Sequence, residues 1–162
     1  MIGPGGEADW VEEVGSEQAV AGLAARFATC VQVPAVIYLR GDLGAGKTTF
    51  ARAYIQALGF TGYVKSPSYG LLETYQVGGQ KVLHLDLYRI EDPEELEYLA
   101  LRDLFDEQSV LLVEWPDRGE HYLPKPDLVL DFGENTESRF ISCRIFSDRG
   151  RFLSEKVSGT GR

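Results

Sequence analysis

Ten residues, GDLGAGKTTF at positions 41 to 50, have the types and the spacing needed to grip a chain of phosphates. They fit the pattern G-x-x-x-x-G-K-[ST], with Gly41, Gly46, Lys47 and Thr48 in its four fixed places, between an apolar run, AVIYL, and a helical pattern. Such a loop turns successive backbone N–H groups inward around phosphate oxygens, here those of Asp42, Leu43, Gly44, Ala45, Gly46, Lys47, Thr48 and Thr49. Glycine at the tight points removes side chains that would obstruct the approach. Lys47 then supplies a point charge for the β and γ oxygens, and Thr48 a hydroxyl for Mg²⁺. The start of the following helix adds its positive dipole end.

A metal-bound nucleotide also needs acids, and two are placed for it. Glu114 stands at the C-terminal end of SVLLVEWP, residues 109 to 116, a run apolar enough to be buried on both faces. Ligands of open α/β sheets bind beyond the C-terminal ends of the strands, and a carboxylate there is costly unless Mg²⁺ or a Mg²⁺-bound water compensates it. In KVLHLDLYRI, Leu83, Leu85 and Leu87 fall on one face and His84, Asp86 and Tyr88 on the other, so the ionisable row must face solvent or a site. Ser66-Pro67-Ser68 reads equally as a plain turn and as a switch segment whose Ser68 hydroxyl reaches Mg²⁺ or the terminal phosphate. The expected mechanism has ATP phosphates over residues 44 to 49, Mg²⁺ bridging Thr48 and the terminal phosphates, and Asp86 or Glu114 orienting the attacking water. No second cation comparable to an arginine finger adjoins these motifs, so isolated turnover should be slow, with Arg89 or a partner residue as the source of the missing charge.

The elements that must hold these groups follow from patterning. Ser16 is placed to cap a helix over residues 17 to 30, with Val20, Leu23, Ala24, Phe27 and Val31 at helical spacing. VPAVIYLRG gives a first buried strand, and Phe50, Tyr54, Ile55 and Leu58 form the inward stripe of a helix stopped by Gly59. A strand over about 69 to 77 and the turn at 77 to 80 make the KVLHLDLYRI strand antiparallel to its predecessor. Asp92-Pro93-Glu94-Glu95 opens a helix with Leu96, Leu99, Ala100 and Leu104 inward, and VLDF with RFISCRIF forms a terminal antiparallel pair. The fold class expected is α/β: a P-loop NTPase fold with a mixed, mostly parallel sheet flanked by helices. Residues 1 to 15 are expected to be disordered or extended, 16 to 153 to form the domain, and 154 to 162 to be a frayed basic tail.

Composition bounds the partners. The net charge of −9 argues against a general nucleic-acid surface, although residues 138 to 162 carry six basic against two acidic residues. Cys30 and Cys143 are two thiols in apolar surroundings, expected to be reduced, and no apolar run has the length of a membrane span, so a soluble, cytoplasmic protein is expected.

GDLGAGKTT, KSPSY, HLDLYR, DPEELE and LVEWP, in that order and spacing over about residues 16 to 132, resemble the TsaE (YjeE) family. The resemblance implies a phosphate-loop fold with weak ATP hydrolysis, serving threonylcarbamoyl-adenosine modification of tRNA. It also implies work with the TsaB and TsaD proteins, the ATPase resetting the synthase between turnovers; tRNA is expected as an indirect partner, with direct contact left open by the basic C-terminal segment. By position, Lys47 would hold β/γ phosphates, Thr48 and Glu114 would be the protein-side metal ligands, and Asp86 would take the acidic place on the neighbouring strand. Trp115 and the HLDLYR row would lie near the partner-facing surface. One departure stands out: the family's SPT turn is SPS here, so the hydroxyl of Ser68 survives without the methyl that would restrict its rotation. Three other readings share parts of the pattern. A small-molecule kinase would need an arginine-bearing lid, for which only Arg102 and Arg118 offer material; a GTPase would need an N-K-x-D stretch, which is missing; a nucleotide-gated adaptor would show no stimulated turnover.

Overall fold

The structure, a computed structural model, describes residues 6–67 and 71–159. Seven strands form one sheet: β1 (Trp10–Glu13), β2 (Ala35–Gly41), β3 (Leu72–Val77), β4 (Gln80–Asp86), β5 (Ser109–Glu114), β6 (Leu128–Glu134) and β7 (Arg139–Ile145). Their order is β1-β7-β6-β2-β5-β4-β3. The two runs that read as buried on both faces, β2 and β5, lie side by side in the middle and parallel, with β6 and β4 parallel on either flank. The remaining three pairings are antiparallel. The expectation of a mostly parallel sheet is therefore corrected to an even division of the pairings, because β3–β4 and β6–β7 are joined by short turns, β1 adds antiparallel to β7 at the edge, and only the four central strands pair in parallel. The β3–β4 turn shows why: Gly78 and Gly79 have φ of 58° and 75°, the left-handed pair that a two-residue hairpin requires.

Three long helices cover one face: α1 (Glu17–Cys30), α2 (Lys47–Ala57) and α5 (Asp148–Ser158), whose Leu23, Phe27, Phe50, Tyr54, Leu153 and Val157 share a core with Ile37, Leu39, Leu112 and Leu130. On the other face Leu83, Leu85, Leu111 and Val113 pack with Leu96, Leu101 and Leu123, carried by two single-turn helices, α3 (Glu95–Tyr98) and α4 (Leu101–Leu104), and the turns after β5. The Leu83/Leu85/Leu87 face expected from alternation is this second core.

Two expectations are corrected and one is made specific. Within the N-terminal segment expected to be disordered or extended, residues 1–5 lie outside the described residues, and Trp10–Glu13 is extended as a paired edge strand, Trp10 opposite Cys143, with Trp10 Nε1 donating to Ser154 Oγ at 2.7 Å. The frayed tail is a helix: Ser147 accepts from Gly150 N, and Leu153 and Val157 are buried against α1 and the sheet, while residues 160–162 lie outside the described residues. The helix expected from Asp92 onward is broken, since Ala100 adopts φ 53° and separates α3 from α4 so that Leu96 and Leu101 can both reach the core. Cys30 and Cys143 are both free thiols, and no helix among the described residues is long and apolar enough to cross a membrane.

Candidate functional site

The glycine-rich loop leaves β2 at Gly41, where a Cβ would stand 2.7 Å from the carbonyl oxygen of Phe132 on β6, and where φ is +152°. Only glycine passes that point without displacing the neighbouring strand. Gly44 and Gly46 also hold positive φ, 82° and 112°, and Ala45 N donates to Asp42 O at 3.0 Å, closing the loop onto the first turn of α2. What α2 lacks is as informative as what it has. The N-terminus of α1 is capped by Ser16 and that of α5 by Ser147, each with an acid in its first turn, Glu17 and Asp148. The N-terminus of α2 is preceded by Gly46, with neither a capping side chain nor a first-turn acid. Its amide donors and positive dipole end are left for an external anion.

Those donors face a cavity of about 460 Å³. Residues 43 to 49 form its floor, and Ser66, Asp86, Tyr88, Arg89, Glu114 and Trp115 line one wall. Among the loop candidates, Asp42 does not line it, because its carbonyl is engaged by Ala45 N and by Lys47 Nζ at 3.2 Å. Ser68 lies outside the described residues. The opposite wall, Val14, Ser16, Glu17, Val20, Gly133, Arg139 and Phe140, was not singled out by motif. Its one sequence signal was Ser16, which both caps α1 and borders the cavity.

The two acids meet because β4 and β5 run parallel in a register that pairs Asp86 with Glu114 at the strand ends. The ionisable row of β4 thus turns toward the site and α2, away from solvent. Glu114, 2% exposed, accepts from Thr48 Oγ1 at 2.8 Å through Oε1 and at 3.1 Å through Oε2, and its Oε2 lies 2.7 Å from His84 Nε2. Asp86 accepts from Tyr88 N at 3.0 Å. Burial, and then the charge of Glu114, push its carboxyl above the usual carboxylate range, against the pull of the Tyr88 amide, His84 and Lys47. Lys47, itself buried, is pushed down by burial, with Glu114, Asp86 and Asp42 acting in opposition. Its ammonium donates to Gly41 O and Asp42 O and sits 3.8 Å from the Trp115 ring centroid. The site therefore holds one buried cation between two acids and an aromatic face.

Trp115 is placed by an unusual backbone turn, φ 58°, directly after Glu114. Its ring packs on Tyr88 with centroids 4.9 Å apart, and Arg118 lies over both rings at 5.0 and 5.3 Å while donating to Tyr88 O. Arg118 is thus a bracket for the aromatic pair, and Arg102 lies on α4 and does not line the cavity. Among the described residues no group of three or more His, Cys, Asp or Glu is arranged to hold a metal ion. A hydroxyl and a carboxylate within 2.8 Å of each other are instead a pair of hard oxygen donors, the kind Mg²⁺ takes when substrate phosphates and waters complete its shell.

Comparison with known proteins places the chain among relatives of one family. Residues 14–141 match the model of the family described as threonylcarbamoyl adenosine biosynthesis protein TsaE. The chain is 45% identical over 123 residues to the tRNA threonylcarbamoyladenosine biosynthesis protein TsaE of Haemophilus influenzae, covering 76% of this chain and 78% of that protein. It is 37% identical over 142 residues to the protein of the same name from Bacillus subtilis, covering 87% of each. Among solved structures, the crystal structure of Bacillus subtilis YdiB superposes with a TM-score of 0.80 at 27% identity, covering 98% of this chain and all of that one.

Proposed function

The chain belongs to the TsaE family of threonylcarbamoyl adenosine biosynthesis proteins, and from that premise we propose that it is a P-loop ATPase. In this reading it binds Mg²⁺-ATP, hydrolyses it slowly, and supports repeated rounds of tRNA threonylcarbamoyl-adenosine modification together with TsaB and TsaD. The observation that carries the reading is the bare N-terminus of α2 facing a cavity that Asp86 and Glu114 also line. A helix start without its own cap or acid is stabilised by an anion from outside, and a phosphate chain supplies one.

Each residue has a part that its position supports. The amides of residues 43 to 49 cradle the phosphates, and Lys47 swings its ammonium from Gly41 O and Asp42 O toward the β/γ oxygens. Thr48 and Glu114 would hold Mg²⁺, which when bound neutralises charge on the phosphate oxygens. Asp86, next to Glu114 and held by Tyr88 N, orients the attacking water. A carboxyl raised above its ordinary range also accepts a proton more readily than a free one, as a base near neutral pH must. Arg89 lines the same wall and is the chain's own candidate for a further positive charge at the terminal phosphate.

The test is reconstitution of tRNA modification over several turnovers, with ATP consumption followed in parallel. Lys47→Ala and Glu114→Ala should each lower hydrolysis by about 100-fold or more, the scale of losing one preorganised charge at a transition state. Both should leave the first round of modification but stop repetition. Full multi-turnover activity in either variant refutes that residue's assignment.

A further inference from the structure

Beneath Glu114 lies a group that this mechanism leaves unused. His84 sits on β4 two residues before Asp86, on the same face, with 0% exposure. Its Nε2 is 2.7 Å from Glu114 Oε2, while Thr48 approaches the same carboxylate with its shorter contact, 2.8 Å, at Oε1. A carboxylate only accepts, so the ring proton is on Nε2, and Nδ1 is left as a buried nitrogen with no hydrogen-bond partner among the described residues. A side chain present only to fill space under α2 would not keep an unsatisfied ring nitrogen, since burial of a polar atom without a partner is penalised in full. Neighbouring positions on that face are apolar: Val82 on the same strand and Leu112, the parallel-register partner of His84.

We propose that His84 is a positioning residue for the metal site. By donating Nε2–H to Oε2 it fixes the rotation of the Glu114 carboxylate, so that Oε1 is presented to the Thr48 hydroxyl, these being the two groups that would hold the cation. The inference rests on the Mg²⁺-ATP reading above. It also explains why a carboxylate at a strand end, with freedom to turn toward Asp86 or Lys47, is aligned on Thr48: two donors from two elements, α2 and β4, hold its two oxygens. Loss of an outer partner of this kind typically weakens metal affinity or activity by about 10- to 100-fold.

Two substitutions of similar polarity separate positioning from packing. His84→Gln carries an amide N–H to about the reach of Nε2, whereas His84→Asn ends one bond short. Nucleotide binding by the full chain is measured calorimetrically with ATP across a Mg²⁺ titration and again in EDTA, with phosphate release followed over the same Mg²⁺ range. The Mg²⁺ concentration for half-maximal binding and turnover is expected to rise about 10- to 100-fold in His84→Asn and to return to within about threefold of the natural chain in His84→Gln. Binding in EDTA should stay the same in both. Should Asn fail to fold, as judged by thermal melting, His84→Leu replaces it as the donor-free variant of closer volume. An unchanged Mg²⁺ requirement in the donor-free variant, or equal loss in Gln and Asn with metal-free binding also lost, overturns the assignment of His84. If the natural chain itself binds ATP with no dependence on Mg²⁺, the metal reading fails first and this one with it.

Discussion

A carboxyl group buried beside a second carboxylate keeps its charge at a cost, and Asp86 is in that position: 7% exposed, paired in register with Glu114, and pushed above the usual carboxylate range by burial first and by Glu114 second. Because the native state then binds its proton more tightly than the unfolded chain does, the contribution of Asp86 to stability is present at low pH and lost as pH rises through its native value. Asp86→Asn should therefore melt at a higher temperature than the natural chain at pH 7 without nucleotide, and the gap should narrow as pH falls through the raised native value of Asp86 toward the ordinary carboxylate value of about 4. The same substitution should lower phosphate release by roughly 100-fold or more if the carboxylate is the water-orienting base. A destabilised Asp86→Asn would mean that the residue is structural; a stabilised and fully active one would remove it from the chemistry. At this scale the sequence was informative about types. The alternation of His84, Asp86 and Tyr88 put an ionisable row on one face, but only the parallel register of β4 on β5 decides that the row faces α2 and that His84 lies under Glu114. Register across a crossover has no local signature, which is why His84 was not assigned a role by pattern.

The elements that patterning leaves unspecified or assigns differently are those that long-range contacts decide. Trp10–Glu13 is four residues long and gains its ladder from β7, more than a hundred residues away. Helix α5 contains Gly150, which costs about 1 kcal/mol relative to alanine in a helix interior and weakens any local reading. The glycine has a tertiary reason: a Cβ there would stand 2.0 Å from the carbonyl oxygen of Asp127. Gly150→Ala thus sets helix propensity against a clash with backbone, and the clash should win, destabilising the chain by about 2 kcal/mol or more in urea unfolding. A stabilised variant would show that α5 is not seated on Asp127. The same helix seals Cys143, whose thiol burial pushes up to about 12. Its contribution to stability is complete below the ordinary thiol range and is lost as pH climbs from about 8.5 toward 12, because the unfolded thiol ionises first. Maleimide labelling at pH 7.5 should accordingly modify Cys30 and spare Cys143 in the native chain. Gly150→Ala should speed labelling of Cys143, and rapid labelling in the natural chain would mean that α5 opens freely. The break at Ala100 carried no local warning either, alanine being the best helix former, and it is the paired burial of Leu96 and Leu101 that overrides propensity.

For the molecule as a whole, the basic C-terminal segment raises the question of tRNA binding by this chain in its own right. The net charge of −9 opposes it, yet six basic residues fall within residues 138 to 162. Folding disposes of several. Arg144 is 2.9 Å from Asp131 and mostly buried, Arg149 is 3.3 Å from the buried Asp127, and Arg139 is 3.6 Å from Glu134. Lys156 lies 5.0 Å over the ring of Phe152. The buried Arg144 has no counterion to exchange and the more exposed Arg139 and Arg149 are partly offset by their acids, which reduces the counterion release that drives sequence-independent nucleic-acid binding. A long-range field from an acidic body adds repulsion for a polyanion. The isolated chain should bind tRNA no more tightly than about 10⁻⁴ M at physiological salt, the weak limit of non-specific association. Fluorescence anisotropy with labelled tRNA over 50 to 200 mM salt, on the order used to resolve such contacts, measures it. A steep fall of affinity with salt, equivalent to several phosphates neutralised, would establish a direct basic footprint and would move the contact with tRNA from partner proteins onto this chain. A flat, weak response would show that the basic residues of the C-terminal segment give this chain no tRNA footprint of its own.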